Sequence, residues 1–104
     1  MALNSANCNL LCSLWKQPTR ADILWEDFVR LYVALGGEKV KSGSGSVRRF
    51  RLNGVRAAFH EPHPAGVMKK GAVDSARLFL ANAGVSPTAA GCDCRRGRGR
   101  GGSR

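Results

Sequence analysis

The sequence predicts a small α+β domain, and three observations carry that prediction. Asn53-Gly54 joins two short runs of alternating polarity, SVRRFRL and VRAAFH. Apolar residues recur at helical spacing on both sides of those runs, in Trp25 to Leu35 and in Gly71 to Ala83. A weakly alternating stretch, Glu38 to Lys41, leads into the first run. The order is helix, three antiparallel strands, helix, with both main helices on one face of the sheet and a short N-terminal helix added.

The hairpin organises the rest. A type I′ turn needs positive φ at both central residues, and Asn-Gly meets that need best. A two-residue loop fixes the register, so Leu52 faces Val55, Phe50 faces Ala57, Arg48 faces Phe59, Arg49 faces Ala58 and Val47 faces His60. Alternation then sorts the side chains. One face takes Phe50, Leu52, Val55, Ala57 and Phe59, with Arg48 at its margin. The other takes Arg49, Arg51, Arg56 and His60, with Val47 and Ala58. A basic sheet face ending in a histidine suits a polyanion, RNA first. Arginines on the solvated side of a half-buried sheet are also common without any ligand.

The first expected helix, Ser5 to Gln17, carries Leu10, Leu11, Leu14 and Trp15 and stops at Pro18. The second places Trp25, Phe28, Val29, Tyr32 and Leu35 on one stripe. Glu26 and Asp27 suit its positive N-terminal end, and Gly36-Gly37 ends it. Ser42-Gly43-Ser44-Gly45 reads as a flexible connector, or as a mobile backbone able to approach a phosphate. Pro62 and Pro64 break the last strand. The third helix turns Val73, Ala76, Phe79, Leu80 and Ala83 inward, with Gly84 as its cap and Val85 folding back. Lys69 and Lys70 stand beside its N-terminus, where free amides already favour an anion.

The chain has 104 residues and a net charge of +10. The charge is local: Lys39 to Lys70 holds eight Lys or Arg against the single acid Glu61, whereas Met1 to Glu38 is nearly balanced. Such bias argues for an anionic partner. The ending RRGRGRGGSR has too little apolar content to bury and is expected to be disordered, binding nucleic acid by charge alone. The expected organisation is an N-terminal helical extension and link over residues 1–21, a domain over 22–87 and an Arg/Gly-rich tail over 88–104. No apolar run approaches the ~20 residues of a membrane span, and no secretory signal is visible. The expected compartment is the cytoplasm, with Cys8, Cys12, Cys92 and Cys94 as free thiols. A zinc site built from the four is the alternative, with an unusual C-x-C spacing.

The blocks LWEDFVRLYVALGG, LNGVRAAFHEPHP and KKGAVDSARLFLANAGV together resemble the HicA family of toxin proteins, in its longer form with an extra N-terminal segment. The resemblance covers roughly Leu10 to Pro87. It implies a double-stranded-RNA-binding-domain-like fold, and an mRNA interferase that halts translation and is held inactive by a HicB-type antitoxin. The chain departs from the family at one place. HicA proteins carry Gly-Ser-His at the start of the second strand, with a catalytic histidine, and here the triplet is Gly45-Ser46-Val47. His60, opposite Val47, is the first substitute and His63 the second. Arg49, Arg51, Arg56, Lys69 and Lys70 are the expected RNA contacts.

Three readings compete. One is a metal-independent endoribonuclease using the 2′-hydroxyl of RNA, with no cofactor, since no dense carboxylate or His/Cys cluster is spelled out to hold a metal. The second is an RNA-binding relative that does not cut. The third is an interaction protein whose basic face docks an acidic antitoxin.

Overall fold

A computed structural model of the chain describes residues 3–63 and 66–95. The elements run α1 (Ser5–Leu14), α2 (Trp25–Ala34), β1 (Lys41–Ser42), β2 (Val47–Leu52), β3 (Val55–His60) and α3 (Lys70–Asn82). The strands form one antiparallel sheet in the order β1-β2-β3. A small α+β domain with a three-stranded antiparallel sheet is therefore what the sequence folds into.

The β2–β3 register is the one the turn dictates. Val47 pairs with His60, Arg49 with Ala58, Arg51 with Arg56 and Leu52 with Val55. Asn53 (φ 51°) and Gly54 (φ 82°) both take positive φ. The Asn53 amide nitrogen also donates to the Ala83 carbonyl at 2.8 Å, tying the turn to the end of α3. Phe50, Leu52 and Phe59 are buried and Val55 and Ala57 partly so, while Arg49, Arg51, Arg56, Ala58 and His60 are exposed.

Helices α2 and α3 supply the other half of the core. Phe50 sits at its centre, with ring centroids of Trp25, Phe28, Tyr32 and Phe59 between 4.7 and 5.6 Å away. Truncating an aromatic so enclosed removes its transfer energy and leaves a cavity. Phe50→Ala should destabilise the fold by about 3–5 kcal/mol, a large part of a small domain's stability. A urea melt with an unchanged midpoint would place the core elsewhere.

The polar frame around this core is specific. The buried Tyr32 hydroxyl accepts the Arg51 amide (2.9 Å) and lies within donating reach of the Arg51 carbonyl (2.8 Å) and of the Glu38 carbonyl. Gly37 is packed so closely on this ring that an added Cβ would collide with Tyr32 Cε1. This arrangement also corrects the first strand. It was expected over Glu38–Lys41, but the regular ladder is Lys41–Ser42, paired with Arg49 and Arg48. Continuing that register would set Lys39 against Arg51. Instead the Arg51 amide goes to Tyr32, and the Arg51 carbonyl is taken one residue early by the Glu38 amide at 3.0 Å.

The Ser42–Gly45 connector is likewise a closed turn. Gly43 donates to the Val47 carbonyl (2.8 Å), Val47 donates to Ser44 (3.0 Å), and the Arg48 guanidinium bonds the Gly45 and Val47 carbonyls. The Ser44 and Gly45 carbonyls are thus bonded within the turn, which forms a connector of defined geometry. α3 closes as expected: Gly84 has φ 83° and the Val85 amide returns to the Leu80 carbonyl at 2.8 Å.

α1 packs on α2 and α3. Asn4 caps it through a 2.8 Å bond to the Asn7 amide, and Leu11 and Leu14 are wholly buried. It ends at Leu14 rather than at Gln17, with Trp15 as its cap. Packed against the sheet and α1, α2 buries Trp25, Phe28 and Tyr32 of the expected stripe and also Leu31, while Val29 and Leu35 are only partly buried. The link after α1 is pinned too. The Thr19 hydroxyl donates to Asp74 (2.6 Å), and Arg77 bridges Asp74 (2.9 Å) and the Leu14 carbonyl (3.3 Å). The Thr19 hydroxyl and the Arg77 charge hold the Asp74 carboxyl below its ordinary range. Whatever stability this adds is present above the ordinary carboxylate range and is lost as pH falls through the lowered value.

The cysteines overturn an expectation. None of the four is free: Cys8 bonds Cys92 and Cys12 bonds Cys94, each with Cα atoms 5.4 Å apart. One helical turn brings Cys8 and Cys12 to the same face of α1, and both partners lie in the turn-rich segment after α3. The segment Thr88–Arg95, expected as the start of a disordered tail, is held by this clasp and by the Ala90–Ser86 and Cys92–Pro87 backbone bonds. The remainder of the expected tail, residues 96–104, lies outside the described residues, as does Pro64.

Candidate nucleic-acid interface

Alternation along β2 and β3 lifts Arg49, Arg51 and Arg56 off the open face of the sheet. Arg51 and Arg56 are direct cross-strand partners, and so are Lys41 and Arg49. Like charges placed opposite each other destabilise a sheet unless something anionic lies between them. With Lys39 and Glu38 these residues line an open depression of about 580 Å³ across the sheet. Arg51 reaches Glu38 at 3.6 Å. Among the described residues no acid lies within ion-pair distance of Lys39, Lys41, Arg49 or Arg56. Lys39 and Lys41 were missed as site residues. The signal was in the charge count, but β1 is too short for periodicity to show its outward face.

A second concavity, about 790 Å³, adjoins the first across Ala58, which lines both. It runs between the end of β3 and the start of α3, and its walls include Ser46, His60, Glu61, His63, Lys69 and the first turn of α3 at Gly71 and Ala72. Lys69 is the N-cap of α3 and no side chain caps the helix. Lys69 therefore belongs to this groove, whereas Lys70, though exposed, is not among the residues that line it. The segment lining the groove's far side is tied to the start of α2 by an antiparallel contact in which Trp25 donates to the Gly66 carbonyl and Met68 to the Ile23 carbonyl, both at 2.8 Å.

His60 lines the second concavity, two residues along β3 from Ala58. Its Nδ1 is 3.0 Å from Ser46 Oγ, and the Glu61 amide donates to the Ser46 carbonyl at 2.8 Å. Arg48, which lies at the other margin of β2, is occupied: its Nε donates to Glu61 Oε1 at 3.0 Å. The second oxygen of Glu61 lies 4.0 Å from His63 Nε2. Both histidines of the chain thus line one groove, each with a different neighbour. Among the described residues there is no cluster of His, Cys, Asp or Glu that could hold a metal ion, and no helix is long and apolar enough to cross a membrane.

Compared with family models, with curated proteins and with solved structures, the chain matches none.

Proposed function

We propose that this protein is a HicA-like toxin, an RNA-binding domain with a double-stranded-RNA-binding-domain-like fold that cleaves mRNA without a metal or other cofactor. The observation that carries the reading is His60. It lies directly across from Val47, where the family resemblance puts its histidine, and so its imidazole reaches much the same space from the neighbouring strand. When Nδ1 carries the proton it donates to Ser46 Oγ, and Nε2 keeps its lone pair for the substrate. A positioned base of this kind deprotonates the 2′-hydroxyl of RNA. The hydroxyl oxygen attacks the adjacent phosphorus, and Lys69 with the uncapped α3 amides faces the charge that develops. The basic strip of Lys41, Arg49, Arg51 and Arg56 leads to that point, with Arg56 and His60 ~13 Å apart along one strand.

The test is RNA binding and cleavage in EDTA. Affinity should fall with salt, and the triple variant Arg49→Ala, Arg51→Ala, Arg56→Ala should flatten the log–log slope by about 2–3, at 0.7–0.9 per lost phosphate contact. A triple variant that binds with the wild-type slope removes the sheet face from the reading. Wild-type protein should release a 2′,3′-cyclic phosphate. In cells, expression alone should arrest growth and an acidic, HicB-type antitoxin should relieve it by covering Arg49, Arg51 and Arg56. A neutralised complex that leaves those arginines open counts against this mode of inhibition.

One observation favours a second reading. Val47 cannot exchange a proton, so a chain that kept the RNA face and lost the chemistry has this sequence too. RNA binding without cleavage by the wild type, with cleavage appearing in Val47→His, selects it. A basic face that serves only to dock the antitoxin predicts tight protein binding and RNA affinity no greater than charge alone supplies. The cytoplasmic setting that an mRNA substrate requires bears on the cysteines, since a reducing compartment favours dithiols over the clasp.

A further inference from the structure

Cleavage by a 2′-hydroxyl needs two proton transfers, and His60 accounts for one. The attacking oxygen loses a proton and the departing 5′-oxygen must gain one. The groove holds a second imidazole, His63, and a carboxylate that faces it. Glu61 is 30 % exposed at its side chain and is fixed from behind by the 3.0 Å Arg48 bond, whose guanidinium is itself anchored on the Gly45 and Val47 carbonyls. Its free oxygen lies at ion-pair distance, 4.0 Å, from His63 Nε2. Among the described residues no acid lies within ion-pair distance of His60, which is bonded instead to a neutral hydroxyl. The two histidines are therefore set up differently within one groove.

We propose that His63 is the general acid of the reaction, with Glu61 and Arg48 as its positioning residues; this rests on the reading of the groove as a ribonuclease site. His60 Nε2 accepts the 2′-hydroxyl proton as the bond from that oxygen to phosphorus forms. The bond from phosphorus to the 5′-oxygen breaks, and the His63 imidazolium passes its proton to that oxygen. The products are a 2′,3′-cyclic phosphate and a 5′-hydroxyl. His60 ends protonated and His63 neutral, so one proton crosses the groove through the substrate and no co-reactant is consumed.

The experiment compares an RNA of ordinary linkage with the same RNA carrying sulfur at the scissile 5′-bridging position. A thiolate leaves without a proton and so does not need the acid. His63→Ala should lose ~10²- to 10⁴-fold on the oxygen substrate and recover most of that loss on the sulfur substrate. His60→Ala should stay impaired on both, because the base is needed for either. Glu61→Gln should show a smaller loss with the same rescue, which a merely structural role does not produce. His63 is 66 % exposed at its side chain, so its removal leaves the core intact, and a melting curve checks this. If His63→Ala cleaves both substrates like the wild type, or is impaired equally on both, the assignment of the acid is overturned while the ribonuclease reading stands. If His60→Ala is the variant that sulfur rescues, the roles are reversed and the proposal is likewise overturned. Wild-type protein that cuts neither substrate overturns the ribonuclease reading and this inference with it.

Discussion

His60→Ala should lower metal-free RNA cleavage by about 10²- to 10⁴-fold, the usual cost of removing a positioned general base. The expectation rests on where the imidazole is held. The register puts His60 at the end of the basic strip, exposed, with its Nδ1 held by Ser46 Oγ at 3.0 Å. Binding should survive, because the proposed phosphate contacts are Lys41, Arg49, Arg51, Arg56 and Lys69 and do not include the histidine. The loss should therefore fall on the rate and leave the salt slope of binding unchanged. Ser46→Ala should lie between wild type and His60→Ala, since it leaves the base in place but frees its ring to turn. Rapid-quench cleavage of a defined RNA in EDTA measures all three. A folded His60→Ala protein that cleaves at the wild-type rate removes this residue from the mechanism.

The parts of the molecule legible in the sequence are those set by short-range rules. Asn53-Gly54 dictated the β2–β3 register, and the register alone sorted Phe50, Leu52 and Phe59 inward and Arg49, Arg51 and Arg56 outward. Gly84 and Val85 announced the end of α3 in the same local way. What escaped depends on contacts between distant residues. β1 shifted because Tyr32, on a helix, takes the Arg51 amide that a strand would otherwise use. Lys39 and Lys41 were lost from the site with that shift. The role of Arg48 was hidden because its partner Glu61 follows the hairpin and meets it only across the ladder. The cysteine pairing spans 84 and 82 residues, and spacing within each terminal pair does not say which thiol meets which.

Breaking the disulfide clasp should be the largest single blow to stability outside the aromatic core. The two bonds join α1 to the segment after α3, so Cys8–Cys92 closes a loop of 84 residues. In the chain-entropy picture a first cross-link over such a loop limits the unfolded chain by about 4.5 kcal/mol, and the second, closing only the short ring left between the two bonds, by roughly 2–3 kcal/mol more. Native bridges commonly deliver less than that sum, so complete reduction should cost about 2–5 kcal/mol and lower the melting midpoint by roughly 10–30 °C. The loss should not be total unfolding in the cold, because Leu11 and Leu14 keep α1 seated on α2 and α3 without the sulfurs. Reduced protein should also keep its RNA affinity at low temperature, since none of the residues lining either concavity is a cysteine. Cys8→Ser with Cys92→Ser should take only the smaller part of that loss, because the Cys12–Cys94 bond, then alone, still closes a loop of 82 residues by itself. The double variant therefore melts closer to the oxidised protein than to the fully reduced one. Calorimetry with and without dithiothreitol, with thiol labelling to confirm the redox state, reads each arm. A midpoint that does not move on full reduction would show that the clasp constrains nothing the core does not already hold.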